Sequence, residues 1–206
     1  MVRRAIERGV EQIVILGAGY DCRAHRMPEL RGLRVFELDR ADTQNKKRHR
    51  LRAQPNMRDD VHYVAVDFGV DDFIERLTAS SWTARAPSLF IWEGVTNYLD
   101  EASVAKVFTA IGERPSGTSV VFTYIHRGVL DGTVSFDGAD KLVRNVKGMR
   151  EPWTFGLDPA ELGDYLARFG LALEEDLGAD EYRRRYLGPR ALRGYAFYRI
   201  AVARKR

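Results

Sequence analysis

Two glycines and four carboxylates mark where this sequence could do chemistry: Gly17 and Gly19, then Asp21, Asp39, Asp67 and Glu93. A Gly-x-Gly turn leaves the main chain bare, so a ligand can come close to its N–H groups. An ionised carboxylate accepts hydrogen bonds from hydroxyl or amino groups and attracts an ammonium. Asp39 stands twenty residues beyond Gly19, the separation at which a carboxylate on the tip of a second strand meets ribose hydroxyls. The chemistry implied is the binding of a nucleoside-bearing cofactor. The dinucleotide fingerprint has a third glycine at position 22, where this chain carries Cys22. Asp21 would also repel a pyrophosphate at the start of the following helix. The same charge suits a cofactor that presents an ammonium, as S-adenosylmethionine does, and argues against NAD. Blander readings stand beside these: Gly17-Ala18-Gly19 as a tight turn without ligand, and Asp39 as a solvated cap of the next helix.

The elements that must position these residues follow from hydrophobic patterning. Ile13 to Leu16 is an apolar run without polar alternation, as expected of a strand buried on both faces of a parallel sheet. A helix over 2–9, ended by Gly9, precedes it, and a helix over 21–31, stopped by Gly32, follows. Strand two spans 33–39. A very basic helix over 42–54 ends at Pro55-Asn56, and strand three covers 62–66 with Asp67 at its end. A short helix over 71–79 shows Phe73, Ile74 and Leu77 on one face. Strand four is 88–92, ending at Glu93-Gly94. Asp100-Glu101 opens a helix bearing Val104, Val107, Phe108 and Ile111, and strand five is 118–125. Strict alternation makes a doubly wound, Rossmann-like α/β sheet the economical solution. Asp39, Asp67 and Glu93 then gather at the carboxyl edge, where open α/β sheets bind ligands.

Beyond strand five the pattern loosens. Residues 127–156, with the segment Glu151-Pro152-Trp153-Thr154-Phe155, are expected to form a lid or a substrate-facing insertion. Asp158 as N-cap and Pro159 at the first helical position predict a helix running to Phe169. Residues 171–177 are a sixth strand and 195–202 a last one. With no helix-length segment separating it from a further strand, the last strand is expected to pair antiparallel.

Composition bounds the function class. The 206 residues suit a single domain, 45% hydrophobic and 30% charged, as in a soluble globular protein. No apolar stretch approaches the ~20 residues of a membrane span, and residues 1–8 lack a signal-peptide core. The single cysteine excludes a disulfide framework and fits a reducing cytoplasm. Net charge is +4, from 33 basic and 29 acidic residues. Basic clusters at 46–50, 183–185 and 204–206 come without a nucleic-acid module or aromatic stacking pattern, so nucleic acid is disfavoured as a partner. A homo-oligomer is left open.

Three ordered motifs carry a resemblance: Ile15-Leu16-Gly17-Ala18-Gly19-Tyr20-Asp21-Cys22-Arg23, Phe36-Glu37-Leu38-Asp39, and Trp92-Glu93-Gly94-Val95-Thr96-Asn97-Tyr98-Leu99. Together they resemble the leucine carboxyl methyltransferase family, which includes bacterial S-adenosylmethionine-dependent O-methyltransferases. The likeness extends from about residue 4 to the closing strand at Arg193-Gly194-Tyr195 to Ala203. It implies a class I methyltransferase sheet, mostly parallel with an antiparallel last strand. It also implies that Gly17, Ala18 and Gly19 pass the methionine end of the cofactor and that Asp39 takes the ribose hydroxyls. Asp67 would accept from the adenine amino group with Phe68 against the ring, and Glu93 would lie near the methionine moiety. Family members usually carry a longer N-terminal region with a basic residue for the cofactor carboxylate. This chain has twelve residues ahead of Ile13, so the family's cap region is read as absent, with Arg3, Arg4 or Arg8 as substitutes.

The expected reaction is methyl transfer from S-adenosylmethionine to a carboxyl or hydroxyl of a small molecule. A carboxylate acceptor needs no base and would be held by a cation; Arg23, Arg127 and Arg150 are candidates. A hydroxyl acceptor calls for a base. His126 is the histidine in place for it, with Tyr98 and Tyr124 as site-lining candidates, and the alternative for His126 is a structural role. His25, His49 and His62 show no ligand spacing with one another or with Cys22, so no metal is expected. Trp92 is read as core, while Trp153 covers either substrate or the loop beneath it. The competing readings are a cofactor-binding but catalytically impaired domain and an NAD-dependent Rossmann enzyme.

Overall fold

A computed structural model describes residues 1–55, 57–147, 152–188 and 195–206. Asn56, Arg150, Glu151, Arg193 and Gly194, invoked above, lie outside the described residues. Seven strands form one sheet in the order β3-β2-β1-β4-β5-β7-β6. They are β1 (Gln12–Leu16), β2 (Arg34–Asp39), β3 (Val61–Ala65), β4 (Ser88–Trp92), β5 (Ser119–Ile125), β6 (Leu171–Leu177) and β7 (Tyr198–Lys205). β1 to β5 run parallel to one another, and β7 runs antiparallel to both β5 and β6. The expected doubly wound sheet with an antiparallel last strand is therefore present.

Side chains of the central strands alternate between two covered faces, which is why the runs read as continuously apolar. Val14 and Leu16 of β1 join Phe36, Phe90, Trp92 and Phe122 in one core. α4 (Phe73–Thr78), α5 (Glu101–Gly112) and α8 (Leu162–Ala167) close that face. Ile13 and Ile15 face the other way, into a core with Leu89, Ile91 and Val121 under α1 (Val2–Glu7) and α2 (Arg23–Arg26). α5 docks through the predicted stripe of Val104, Val107, Phe108 and Ile111, all buried. Each such side chain contributes about 1.5–3 kcal/mol. Trp92 belongs to this core, edge-on to Phe108 at 5.4 Å.

Several elements differ from expectation for identifiable reasons. The helix expected over 21–31 is α2 plus a 3-10 turn at Pro28–Leu30, because Met27, preceding a proline, is extended. Asp158 accepts from the Ala160 N–H at 2.9 Å and forms a local turn, so the helix expected there begins only at Leu162. The loosely patterned stretch contains α6 (Gly128–Asp131) and α7 (Ala139–Lys147). A helix α9 (Ala179–Tyr186) intervenes between β6 and β7. The antiparallel pairing of β7 thus holds although the argument from a missing helix does not.

Candidate functional site

The crevice between the carboxyl ends of β1 and β4 is where the strand order reverses, the place open α/β sheets use for ligands. The turn after β1 occupies it. Gly17 has φ +64° and Gly19 φ +45°, both left-handed and open to glycine at no steric cost. A Cβ on Gly17 would collide with Val95 Cγ2, so the turn is packed as well as bent. The Ala18 N–H donates to the Leu38 carbonyl at 2.9 Å, and the Gly19 N–H donates to Asp39 Oδ2 at 2.5 Å. The other oxygen of Asp39 accepts from its neighbour Arg40 N–H at 2.7 Å. Asp39 is thereby fixed beside the glycines, half-buried at the tip of β2.

Three charges frame the cavity beside this turn. Arg23 pairs with Asp21 at 2.8 Å and with Glu93 at 2.6 Å, its side chain only 16% exposed. A cavity of about 370 Å³ is lined by residues 15–21 together with Arg23, Ile91 and Glu93. A second cavity, of about 540 Å³, shares Arg23, Ile91 and Glu93 and adds Arg3, Arg26, Met27, Val121 and Tyr186 among its walls. Arg3 is paired with Glu29, Arg4 with Glu175 and Arg8 with Glu174. None of Arg3, Arg4 and Arg8, expected at a cofactor carboxylate, lines the smaller cavity; Arg23, expected at an acceptor carboxylate, does.

The structure thus brings Gly17, Ala18, Gly19 and Glu93 to one cavity and Asp39 to its edge. Asp67 and Phe68 stand one strand further along the same edge, where the Val66 N–H donates to the Asp39 carbonyl at 2.9 Å. Asp67 is exposed and spends Oδ1 on the Gly69 N–H at 3.0 Å, while Phe68 is half-buried, 6.1 Å from the Phe73 ring.

The acceptor-side candidates fare differently. Tyr98 is exposed on the 3-10 turn that follows β4. Tyr124 is fully buried; its hydroxyl donates to Asp176 Oδ2 and accepts from Arg199 Nε, each at 3.0 Å. Burial and the neighbouring Asp176 carboxylate push its ionisation upward, so it is a structural hydrogen-bonding group rather than a wall of either cavity. His126 Nδ1 accepts from the Gly128 N–H at 3.0 Å and its ring lies 5.3 Å from Phe136, outside both cavities. Arg127 pairs with Glu161 on the surface. Trp153 stacks edge-on against Phe197 and Tyr198, under the loop that it belongs to. Among the described residues no cluster of His, Cys, Asp or Glu could hold a metal ion.

Sequence reasoning missed a buried pair behind the turn. Lys47 of α3 (Ala41–Leu51) meets Glu37 of β2 at 2.5 Å, with side chains 2% and 1% exposed. Lys47 also donates to the Asp21 carbonyl. Burial pushes the Glu37 carboxyl upward while the hydrogen bond from Lys47 pulls it back. An acid inside the apolar run Val35-Phe36-Glu37-Leu38 was the available signal, since a buried charge needs a partner.

S-Adenosylmethionine fits these residues. The glycine turn lets a ligand come close to the main chain, Asp39 offers a carboxylate for ribose hydroxyls, and Asp21, Glu93 and Arg23 offer both signs of charge to an amino-acid end. No glycine stands at position 22 to admit a pyrophosphate.

Comparison with known proteins agrees. A Mycobacterium tuberculosis protein provisionally named an S-adenosyl-L-methionine-dependent methyltransferase is 42% identical over 113 residues, covering 53% of this chain and 36% of that protein. A Parafrankia protein with the same provisional name is 29% identical over 198 residues, covering 93% of this chain and 61% of that one. This chain therefore spans between about a third and three fifths of the length of these relatives. In fold it is similar to a Streptomyces avermitilis DUF574 family protein, with TM-score 0.69 and 18% identity over 98% of this chain and 78% of that one. It is also similar to NcsB1, an O-methyltransferase from neocarzinostatin biosynthesis solved with S-adenosyl-L-homocysteine and 1,4-dihydroxy-2-naphthoic acid, with TM-score 0.59 and 14% identity over 97% of this chain and 50% of that one. The profile of the leucine carboxyl methyltransferase family matches residues 1–112, more than half the chain, and the chain belongs to that family.

Proposed function

We propose that this chain binds S-adenosylmethionine across the carboxyl ends of β1, β2 and β4 and transfers its methyl group to an oxygen of a small-molecule acceptor, a carboxylate first. The observation that carries the reading is the glycine turn locked to Asp39 with Asp21, Arg23 and Glu93 facing one cavity beside it. In this reading Asp39 binds the ribose hydroxyls, and Asp67 and Phe68 take the adenine. Glu93 and Asp21 hold the ammonium, and Arg23 meets the carboxylate. The bound cofactor supplies an electrophilic methyl on a sulfonium. Methyl transfer there would form the acceptor oxygen–carbon bond as the carbon–sulfur bond breaks, the electron pair leaving with the thioether. Rate then comes from alignment and exclusion of water.

A carboxylate acceptor is favoured by the second cavity, where Arg3, Arg23 and Arg26 face a single acid, Glu93, among apolar walls. An ionised carboxylate is already the nucleophile, and among the described residues no histidine lines either cavity. Calorimetric titration with S-adenosylhomocysteine, with NADH in parallel, tests the cofactor. Micromolar binding of the former supports the reading, and binding of NADH alone refutes it. Product formation from apolar carboxylic acids then separates an active enzyme from a cofactor-binding, impaired domain. Methylation of phenols but not acids would overturn the acceptor class.

A further inference from the structure

α3 docks in an unusual way. Its buried residues are Gln44 and Lys47, and no apolar side chain of the helix is buried. Three residues apart, the two lie on one helix face. Gln44 Nε2 donates to the Glu37 carbonyl at 3.0 Å and to the Val64 carbonyl at 2.8 Å, strapping the helix to β2 and β3. One turn on, Lys47 donates to Glu37 Oε2 and to the Asp21 carbonyl. The helix is thus held by hydrogen bonds to the sheet and to the glycine turn.

Stability alone does not account for the Lys47–Glu37 pair. Burying two charges costs several kcal/mol per ion, on the order of what their attraction returns, and well-packed apolar residues often do as well. Glu37 Oε1 is moreover left buried without a partner. What the pair achieves that an apolar pair cannot is a grip on the Asp21 main chain. From there the chain leads within two residues to Arg23, and Asp21 and Arg23 both line the cavity. Hydrogen-bonded buried groups specify geometry because each leaves one arrangement satisfied.

We propose that Lys47 is a positioning residue of the cofactor turn: oriented by Glu37, its ammonium clamps the Asp21 carbonyl and so sets the Asp21, Arg23 and Glu93 charges for the ligand. The part that concerns the ligand rests on the reading that this turn holds S-adenosylmethionine. The clamp itself does not.

The test compares the full chain with Lys47→Met and with the double variant Lys47→Met/Glu37→Met, which replaces the pair by apolar side chains. Thermal unfolding, S-adenosylhomocysteine affinity and amide hydrogen exchange over residues 17–23 of the ligand-free protein are measured on each. Lys47→Met is expected to lose stability and the double variant to regain most of it. In both, exchange of the turn should accelerate about tenfold and affinity, where the parent binds, should fall about tenfold. A double variant that recovers turn protection and affinity along with stability overturns the proposal, since the pair is then structural only. A parent that fails to bind S-adenosylhomocysteine refutes the cofactor reading, and the exchange data still decide the clamp. Should Lys47→Met not fold, turn exchange in the double variant alone decides: accelerated exchange supports the clamp and parental exchange overturns it.

Discussion

Replacing Gly17 with alanine probes the turn at its tightest point. The residue sits at φ +64°, and holding an L-residue in the left-handed region costs about 1–2 kcal/mol. The new Cβ would also run into Val95 Cγ2, and overpacking of that kind costs ~1–3 kcal/mol. The sum, about 2–5 kcal/mol, is a large share of the ~5–15 kcal/mol that holds a domain folded. The two contributions can be separated. Val95→Ala removes the colliding methyl groups without altering the backbone at position 17. Urea unfolding of the parent, both single variants and the double variant forms a thermodynamic cycle, with equal slopes confirming a common unfolded state. The collision predicts that Val95→Ala costs less in the Gly17→Ala background than alone, with a coupling of about 1–3 kcal/mol. The backbone contribution should remain in the double variant. A coupling indistinguishable from zero, or a Gly17→Ala variant as stable as the parent, would refute the packed-turn argument.

Asp39→Asn removes the charge but keeps an acceptor for the Gly19 N–H. If Asp39 also holds ribose hydroxyls, S-adenosylhomocysteine affinity should fall by about 1.5–3 kcal/mol, roughly tenfold to a hundredfold by calorimetry; an unchanged value removes Asp39 from the ligand's contacts. Tyr124→Phe should cost stability, about 1–2 kcal/mol, because Asp176 and Arg199 lose a shared partner. Its cofactor affinity should not move, and a large affinity loss would return Tyr124 to the site. Lys47→Met gives a pH signature. Burial raises the Glu37 carboxyl above its ordinary 4.5, and without Lys47 it rises further. A raised folded-state value means stability that is present below the unfolded value and lost as pH climbs through the folded one. The stability gap between Lys47→Met and the parent should therefore widen from pH 5 to pH 8 in thermal scans, and a constant gap would show that Glu37 does not titrate there.

The sheet was legible because burial on both faces leaves little choice of residue. Ile13 to Leu16 and Ser88 to Trp92 are buried throughout, and they read as strands from apolar content alone. The helices of the second half were harder, for physical reasons. α9 carries Arg183, Arg184 and Arg185 and buries only Ala179, so its sequence shows no apolar stripe. α6 is a single turn anchored by Gly128 and Val129, too short for a period to be seen. The shift of the last strand from 195–202 to Tyr198–Lys205 arises because Phe197, fully buried, packs with Trp153 and Phe136 in a satellite cluster ahead of the sheet. Its apolar character reads as strand while its contacts are those of a loop anchor.

The site divides along the same line. The residues that the structure brings to the cavity or its edge from a strand end, Gly17, Gly19, Asp39 and Glu93, could be picked out because a turn glycine or an edge carboxylate has few other reasons to stand there. Tyr124 was misleading because period 2 puts it on the inner face with Phe122, and an inward tyrosine satisfies its hydroxyl with a buried partner rather than a substrate. Lys47 was invisible for the opposite reason. Within Lys46-Lys47-Arg48-His49-Arg50 it differs from its neighbours only in the direction that it faces, and direction depends on where α3 docks. That docking depends on Glu37, ten residues away in β2, so Lys47 does not signal its role until both are placed. A basic run is ordinarily a solvated face; here one of its four Lys and Arg side chains is the strut behind the turn, and an acid inside a buried strand is the mark by which such a cation can be sought in other sequences.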